Sequence, residues 1–74
     1  MATYSAQELL QTALFKAAKV SNIKLMREFI EAGADPFALD KFGRDVIFYA
    51  AKQNPVETYT LFEEIKAGKG SRNA

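Results

Sequence analysis

The chain has 74 residues, ten basic and nine acidic, a net charge of +1, and neither cysteine nor histidine. That length fits one small domain; disulfides are excluded, and a structural zinc site lacks its usual ligands. Apolar residues make up 49% of the chain, which suits a folded domain rather than a disordered one, and the balanced charge offers no bulk attraction to nucleic acid or anionic membrane.

The N-terminal run MATYSAQELL lacks the basic-then-apolar layout of a signal peptide. Apolar runs fall well short of the roughly 20 residues of a membrane span. A soluble, cytoplasmic protein is the expectation. Ser5-Ala-Gln-Glu8 then matches a capping box. Leu9, Leu10, Ala13, Leu14, Ala17 and Ala18 follow as one face of a helix expected over about Ala6 to Lys19.

Ser21 and Asn22 are N-cap types for a second helix. Ile23, Met26, Phe29 and Ile30 form its apolar stripe, while Arg27 and Glu31 are spaced to pair. Gly33 suits the left-handed C-terminal cap, and Pro36 opposes quick resumption of a helix. Asp45 reads as the N-cap of a third helix, with Val46, Ile47, Ala50 and Ala51 inward. Asn54 reads as the cap of a fourth, with Pro55 in its first turn. Val56, Tyr59, Phe62 and Ile65 are its expected apolar face, and Gly68 its C-cap. A polar, flexible tail is expected over residues 68–74.

Ala13-Leu-Phe-Lys-Ala-Ala-Lys19 lies 33 residues ahead of Val46-Ile-Phe-Tyr-Ala-Ala-Lys52. Self-similarity at that period indicates a stacked helical repeat, and paired alanines let helices approach closely. These segments resemble the ankyrin repeat family over about Leu14 to Gly68. The family pattern runs Asp-x-x-Gly-x-Thr-Pro-Leu-His-x-Ala-Ala, then a Gly-His turn, a second helix and Gly-Ala-Asp. Ala17-Ala18, Ser21-Asn22, Gly33-Ala34-Asp35-Pro36, Asp40-Lys-Phe-Gly43 and Ala50-Ala51 follow that order. Asp45-Val46-Ile47-Phe48 stands where the family has Thr-Pro-Leu-His, so phenylalanine replaces the histidine. The second repeat drifts in its last helix: Glu63 falls opposite Ile30, and a shift of about two residues restores Ile65 and Ala67-Gly68.

The resemblance implies an all-α, short ankyrin-like stack: two helix-turn-helix pairs joined by a long hairpin-like loop. One domain spans residues 1–67, with repeat 1 over about 5–37 and repeat 2 over about 38–67. Repeat arrays usually need three copies for stability. Capping by the long first helix, self-association or a partner would supply the missing support.

Asp35, Asp40 and Asp45 are too sparse for a calcium loop. They read as turn and cap residues that bond backbone N–H groups, so no metal is expected. Ala67-Gly-Lys-Gly-Ser71 lacks the strand–loop–helix context of a phosphate loop. The usual general base and thiol nucleophile are missing, so neither enzyme activity nor a cofactor is expected. Lys16, Lys19, Lys24, Lys66, Lys69 and Arg72 are dispersed among acids, so nucleic acid is not expected as a partner.

The family resemblance implies protein–protein interaction through loop tips and the exposed face of the first helices. On that basis Lys41, Phe42 and Arg44 in the turn, Tyr49 on α-helical surface, and Lys16 and Lys19 are the expected partner-binding residues. Phe37 and Phe42 either face a partner or pack back onto the stack. The expected function is a non-catalytic adaptor or inhibitor of a larger protein; the alternative is a structural subunit that stacks into a homo-oligomer.

Overall fold

The computed structural model describes residues 3–68. Four helices carry the chain: α1 Ala6–Lys19, α2 Ile23–Glu31, α3 Val46–Ala51 and α4 Pro55–Lys66. No strand occurs among the described residues. Helix α1 packs on both α2 and α3, α3 packs on α4, and α2 meets α4 over a thinner junction. The result is the expected all-α pair of helix-turn-helix units. No helix of the described residues is long and apolar enough to cross a membrane. The expected tail and the Ala67–Ser71 segment lie outside the described residues from position 69 onward.

Local chemistry explains the helix ends. The Glu8 N–H donates to Ser5 Oγ (3.1 Å), and the Ser5 N–H donates to Glu8 Oε1 (2.8 Å). Two orphan donors are thus satisfied reciprocally. At the other end Ser21 takes a left-handed backbone, φ 54°, which costs a non-glycine residue energy. Its hydroxyl donates to the Ala50 carbonyl (2.8 Å), tying the first turn to α3. Asn22 then caps α2 by accepting from the Leu25 N–H (3.1 Å). Gly33, φ 119°, closes α2, and the Ala34 N–H donates back to the Phe29 carbonyl (3.0 Å). A side chain at Gly33 would meet nothing nearer than 3.9 Å, so the constraint there is conformational, not spatial.

The long loop is held by α1. Gln11 donates to the Asp35 carbonyl and accepts from the Asp35 N–H, both at 2.8 Å. Gln7 donates to the Gly33 carbonyl (3.0 Å). Asp35 itself accepts from the Phe37 N–H (2.9 Å), and Asp45 caps α3 by accepting from the Phe48 N–H (2.9 Å). The core comprises Leu14, Ala17, Ala18, Ile23, Met26, Ala34, Val46, Ile47, Ala50 and Leu61.

Four expectations need correction. Leu9 is exposed, because the apolar stripe of α1 is narrower than its sequence run and turns on Leu10, Leu14 and Ala18. Arg27 pairs with Glu64 on α4 rather than with Glu31, since the opposed helix offers a closer carboxylate. Asn54 holds the N-cap position of α4 without a side-chain cap bond; its amide donates to Glu57 Oε1 instead (2.9 Å).

The fourth correction concerns α4. Val56 and Tyr59 are 77% and 53% exposed, whereas Thr58 and Leu61 are buried and Phe62 and Ile65 partly so. The cause is a turn one residue shorter in the second repeat. The N-caps Asn22 and Asn54 stand 32 residues apart, one fewer than the matched helices before them. Thr58, Leu61 and Phe62 thereby occupy the places of Met26, Phe29 and Ile30. Helix α4 has 12 residues against nine in α2. Those added residues displace the C-caps Ala32 and Ala67 to a separation of 35, which accounts for the drift visible in the sequence.

Candidate functional site

The loop tip is organised by one carboxylate. Asp40 Oδ1 accepts from the N–H groups of Phe42 (2.9 Å) and Arg44 (3.0 Å), and Oδ2 accepts from the Tyr49 hydroxyl. The Asp40 N–H donates to the Arg44 carbonyl (2.9 Å), and the Gly43 N–H to the Asp40 carbonyl (3.0 Å). Gly43 sits at φ 78°, a conformation that glycine adopts without steric cost. The tip is therefore a closed turn pinned to α3, a hairpin-like connection in which no strand forms.

These bonds set the acidity of both partners. The Tyr49 hydroxyl, then the Arg44 and Phe42 N–H groups and the Arg44 charge, hold the Asp40 carboxyl below its usual value against an opposing effect of burial. The same bond raises Tyr49, because the Asp40 carboxylate favours the neutral phenol; burial adds to this and Arg44 opposes it.

The closed turn displays Phe42, which is 65% exposed. Lys41 Nζ lies 5.4 Å and Arg44 Cζ 5.5 Å from the ring centroid. Arg44 also lies 4.9 Å from the Phe48 ring, and Lys52 Nζ 4.9 Å from it. Phe48 meets Tyr49 edge to face at 5.5 Å, Tyr49 meets Phe15 likewise at 6.1 Å, and Lys19 Nζ lies 5.4 Å over Tyr49. Each such cation–ring contact is worth about 0.5–1 kcal/mol at exposed sites. The chain of contacts holds four cations beside rings and gives the face a positive, aromatic character.

Lys41, Phe42, Arg44, Tyr49 and Lys19 are thus linked on one face. Lys16 lies elsewhere, lining a shallow groove with Ala13, Ala17, Val20, Leu25 and Phe29. Tyr49 is partly buried and bonded within the chain, so it supports the patch more than it projects from it. Phe37 is half-exposed and packs edge to face on Phe62 at 6.1 Å. Phe42 points away from the core; of the two rings, only Phe37 packs back.

Sequence reasoning missed Phe48, Lys52 and the organising role of Asp40. Part of this was legible: Phe48 and Lys52 stand four residues apart, on α3 and at its C-cap, which sets them along one side of that helix.

Comparison with curated proteins and with solved structures returns no match. A family model described as ankyrin repeats in many copies matches residues 8–62. That span takes in the turn pinned by Asp40, helices α2 and α3 in full, and most of α1 and α4. The chain belongs to the ankyrin repeat family.

Proposed function

We propose that the protein is a non-catalytic interaction module that acts as an adaptor or inhibitor of a larger protein. Ankyrin repeats are protein-binding scaffolds, and the family assignment supports that general role. The finer reading rests on Phe42: an exposed ring on a turn pinned in advance by Asp40, with a cation on either side. A preorganised aromatic anchor loses little conformational entropy on binding. Aromatic residues and arginine dominate the energetic centres of protein interfaces. Lys41, Phe42 and Arg44 form the proposed contact centre, with Phe48, Lys52 and Lys19 extending it and Tyr49 supporting it.

Four cations on this face favour a partner surface rich in carboxylates, and rim charges steer association more than they fix affinity. The experiment is affinity purification with wild-type chain, Phe42→Ala and Arg44→Glu as baits, followed by mass spectrometry. Proteins retained by the wild type and lost from both variants, with helical circular dichroism unchanged, are the expected result. Equal retention on all three baits would remove the loop tip from the interface. Binding that RNase or DNase treatment abolishes would replace the protein partner with a nucleic acid.

A further inference from the structure

The groove that holds Lys16 has an internal counterpart. Across the matched first helices, Ala13, Lys16 and Ala17 correspond to Val46, Tyr49 and Ala50. Across the second helices, at the 32-residue spacing of the N-caps, Leu25 and Phe29 correspond to Glu57 and Leu61. In repeat 2 the counterparts Val46, Ala50 and Leu61 are buried against repeat 1. The groove on repeat 1 is therefore the same surface that repeat 2 uses for stacking, left uncovered among the described residues. Val20 and Leu25 lie exposed along it.

The chemistry of the two end faces identifies the occupant. At the inner junction Lys24 and Arg27 of α2 share a groove with Glu57, and Arg27 pairs with Glu64. Moving one repeat along the chain converts both sides of that junction together. Lys24 and Arg27 become Val56 and Tyr59, the exposed apolar residues of α4. Glu57 and Glu64 become Leu25 and Ala32. A charged-to-charged junction becomes an apolar-to-apolar one, and the two halves lie at opposite ends of one molecule.

We propose that this groove receives the outer face of α3 and α4 from a second copy of the chain. Copies then stack head to tail by the step that relates the two repeats. Such a contact is heterologous, and repetition yields open-ended assemblies rather than a closed dimer. Each such contact extends a stack of two repeats by two more. One contact opposes it: Lys52 is brought toward Lys16, where the inner junction has Lys19 over Tyr49. Association is therefore weak, with Kd between about 1 μM and 1 mM. This inference is independent of the loop-tip reading, since Phe42 lies outside both end faces.

Two variants test it, each changing only exposed side chains. Leu25→Glu closes the groove, and Val56→Glu with Tyr59→Glu closes the opposite face. Sedimentation equilibrium of the wild type should show a mass that rises with concentration beyond two chains without a plateau. Each variant alone should sediment as one chain with unchanged circular dichroism. Their mixture should form a 1:1 pair and stop there, because each partner keeps one open face. Phe42→Ala should assemble as the wild type does. A wild-type mass of one chain up to about 1 mM would overturn the proposal. So would a plateau at two chains, or a mixture of the variants that fails to pair.

Discussion

The two repeats share one plan and differ in how firmly each is specified. Repeat 1 begins with a 14-residue helix closed by a capping box, and its second helix is capped by Asn22. Repeat 2 begins with a six-residue helix, and α4 has no side-chain cap. Where repeat 1 buries Met26, repeat 2 buries Thr58, whose hydroxyl has no hydrogen-bond partner. Helices this short are marginal alone and take their stability from packing. Repeat 1 is thus the template, and repeat 2 is held in shape by docking on it.

That asymmetry is broken most severely through the shared core. Leu14 is fully buried on α1, which contacts both α2 and α3. Leu14→Ala should cost about 2–5 kcal/mol. A domain of this size holds only about 4–11 kcal/mol in total, so the loss should appear as global unfolding by thermal circular dichroism. Leu61→Ala removes an equally buried leucine from α4. Its cost should fall in the same range, but hydrogen exchange should show α4 opening first while α1 keeps its protection. Uniform loss of protection in both variants would mean that the two repeats form one cooperative unit.

A smaller change sharpens the same contrast with the opposite sign. Thr58→Val keeps the shape and removes the unpaired buried hydroxyl. A buried polar group without a partner costs about 1–3 kcal/mol. The variant should therefore gain about 1 kcal/mol, or about 4–8 °C in Tm for a chain of this length. A lower Tm would show that the hydroxyl finds a partner in solution. The caps should rank as the structure has them. Asn22→Ala should cost about 1 kcal/mol. Asn54→Ala should fall within about 0.5 kcal/mol, because no cap bond is lost.

These differences also explain what the sequence disclosed. The ends of α1 are legible because the capping box and the apolar ladder agree on them. The roles of the three aspartates follow from turn chemistry, and the pairing of Ala17-Ala18 with Ala50-Ala51 exposes the repeat. The face of α4 is not legible at a fixed spacing. A turn shortened by one residue rotates the helix by about 100°. Val56 and Tyr59 are apolar, Thr58 is polar, and so composition favours the wrong face. The loop-tip patch is half legible. Phe42 and its flanking cations are local in sequence, but the fold alone brings Arg44 onto Phe48 and Tyr49 onto Asp40.

The mildest test concerns that last contact and depends on pH. Asp40 titrates below its ordinary 3.8 in the folded chain, so it contributes stability above that value. The contribution is lost as pH falls from 3.8 through the lower folded value. Tyr49 titrates above its ordinary 10.0, so the neutral phenol contributes stability below 10.0. That part is lost as pH rises through the raised folded value. Tyr49→Phe removes the hydroxyl, the largest cause of both shifts, while keeping the ring against Phe15 and Phe48. Wild type should be the more stable between these limits, and the two stability curves should converge at the acid end and again at the alkaline end. Both groups are partly exposed, so solvent screening keeps the gap small. Denaturant unfolding at three pH values measures it. A constant gap across the range would mean that the hydroxyl acts through packing alone and that Asp40 orders the turn without it.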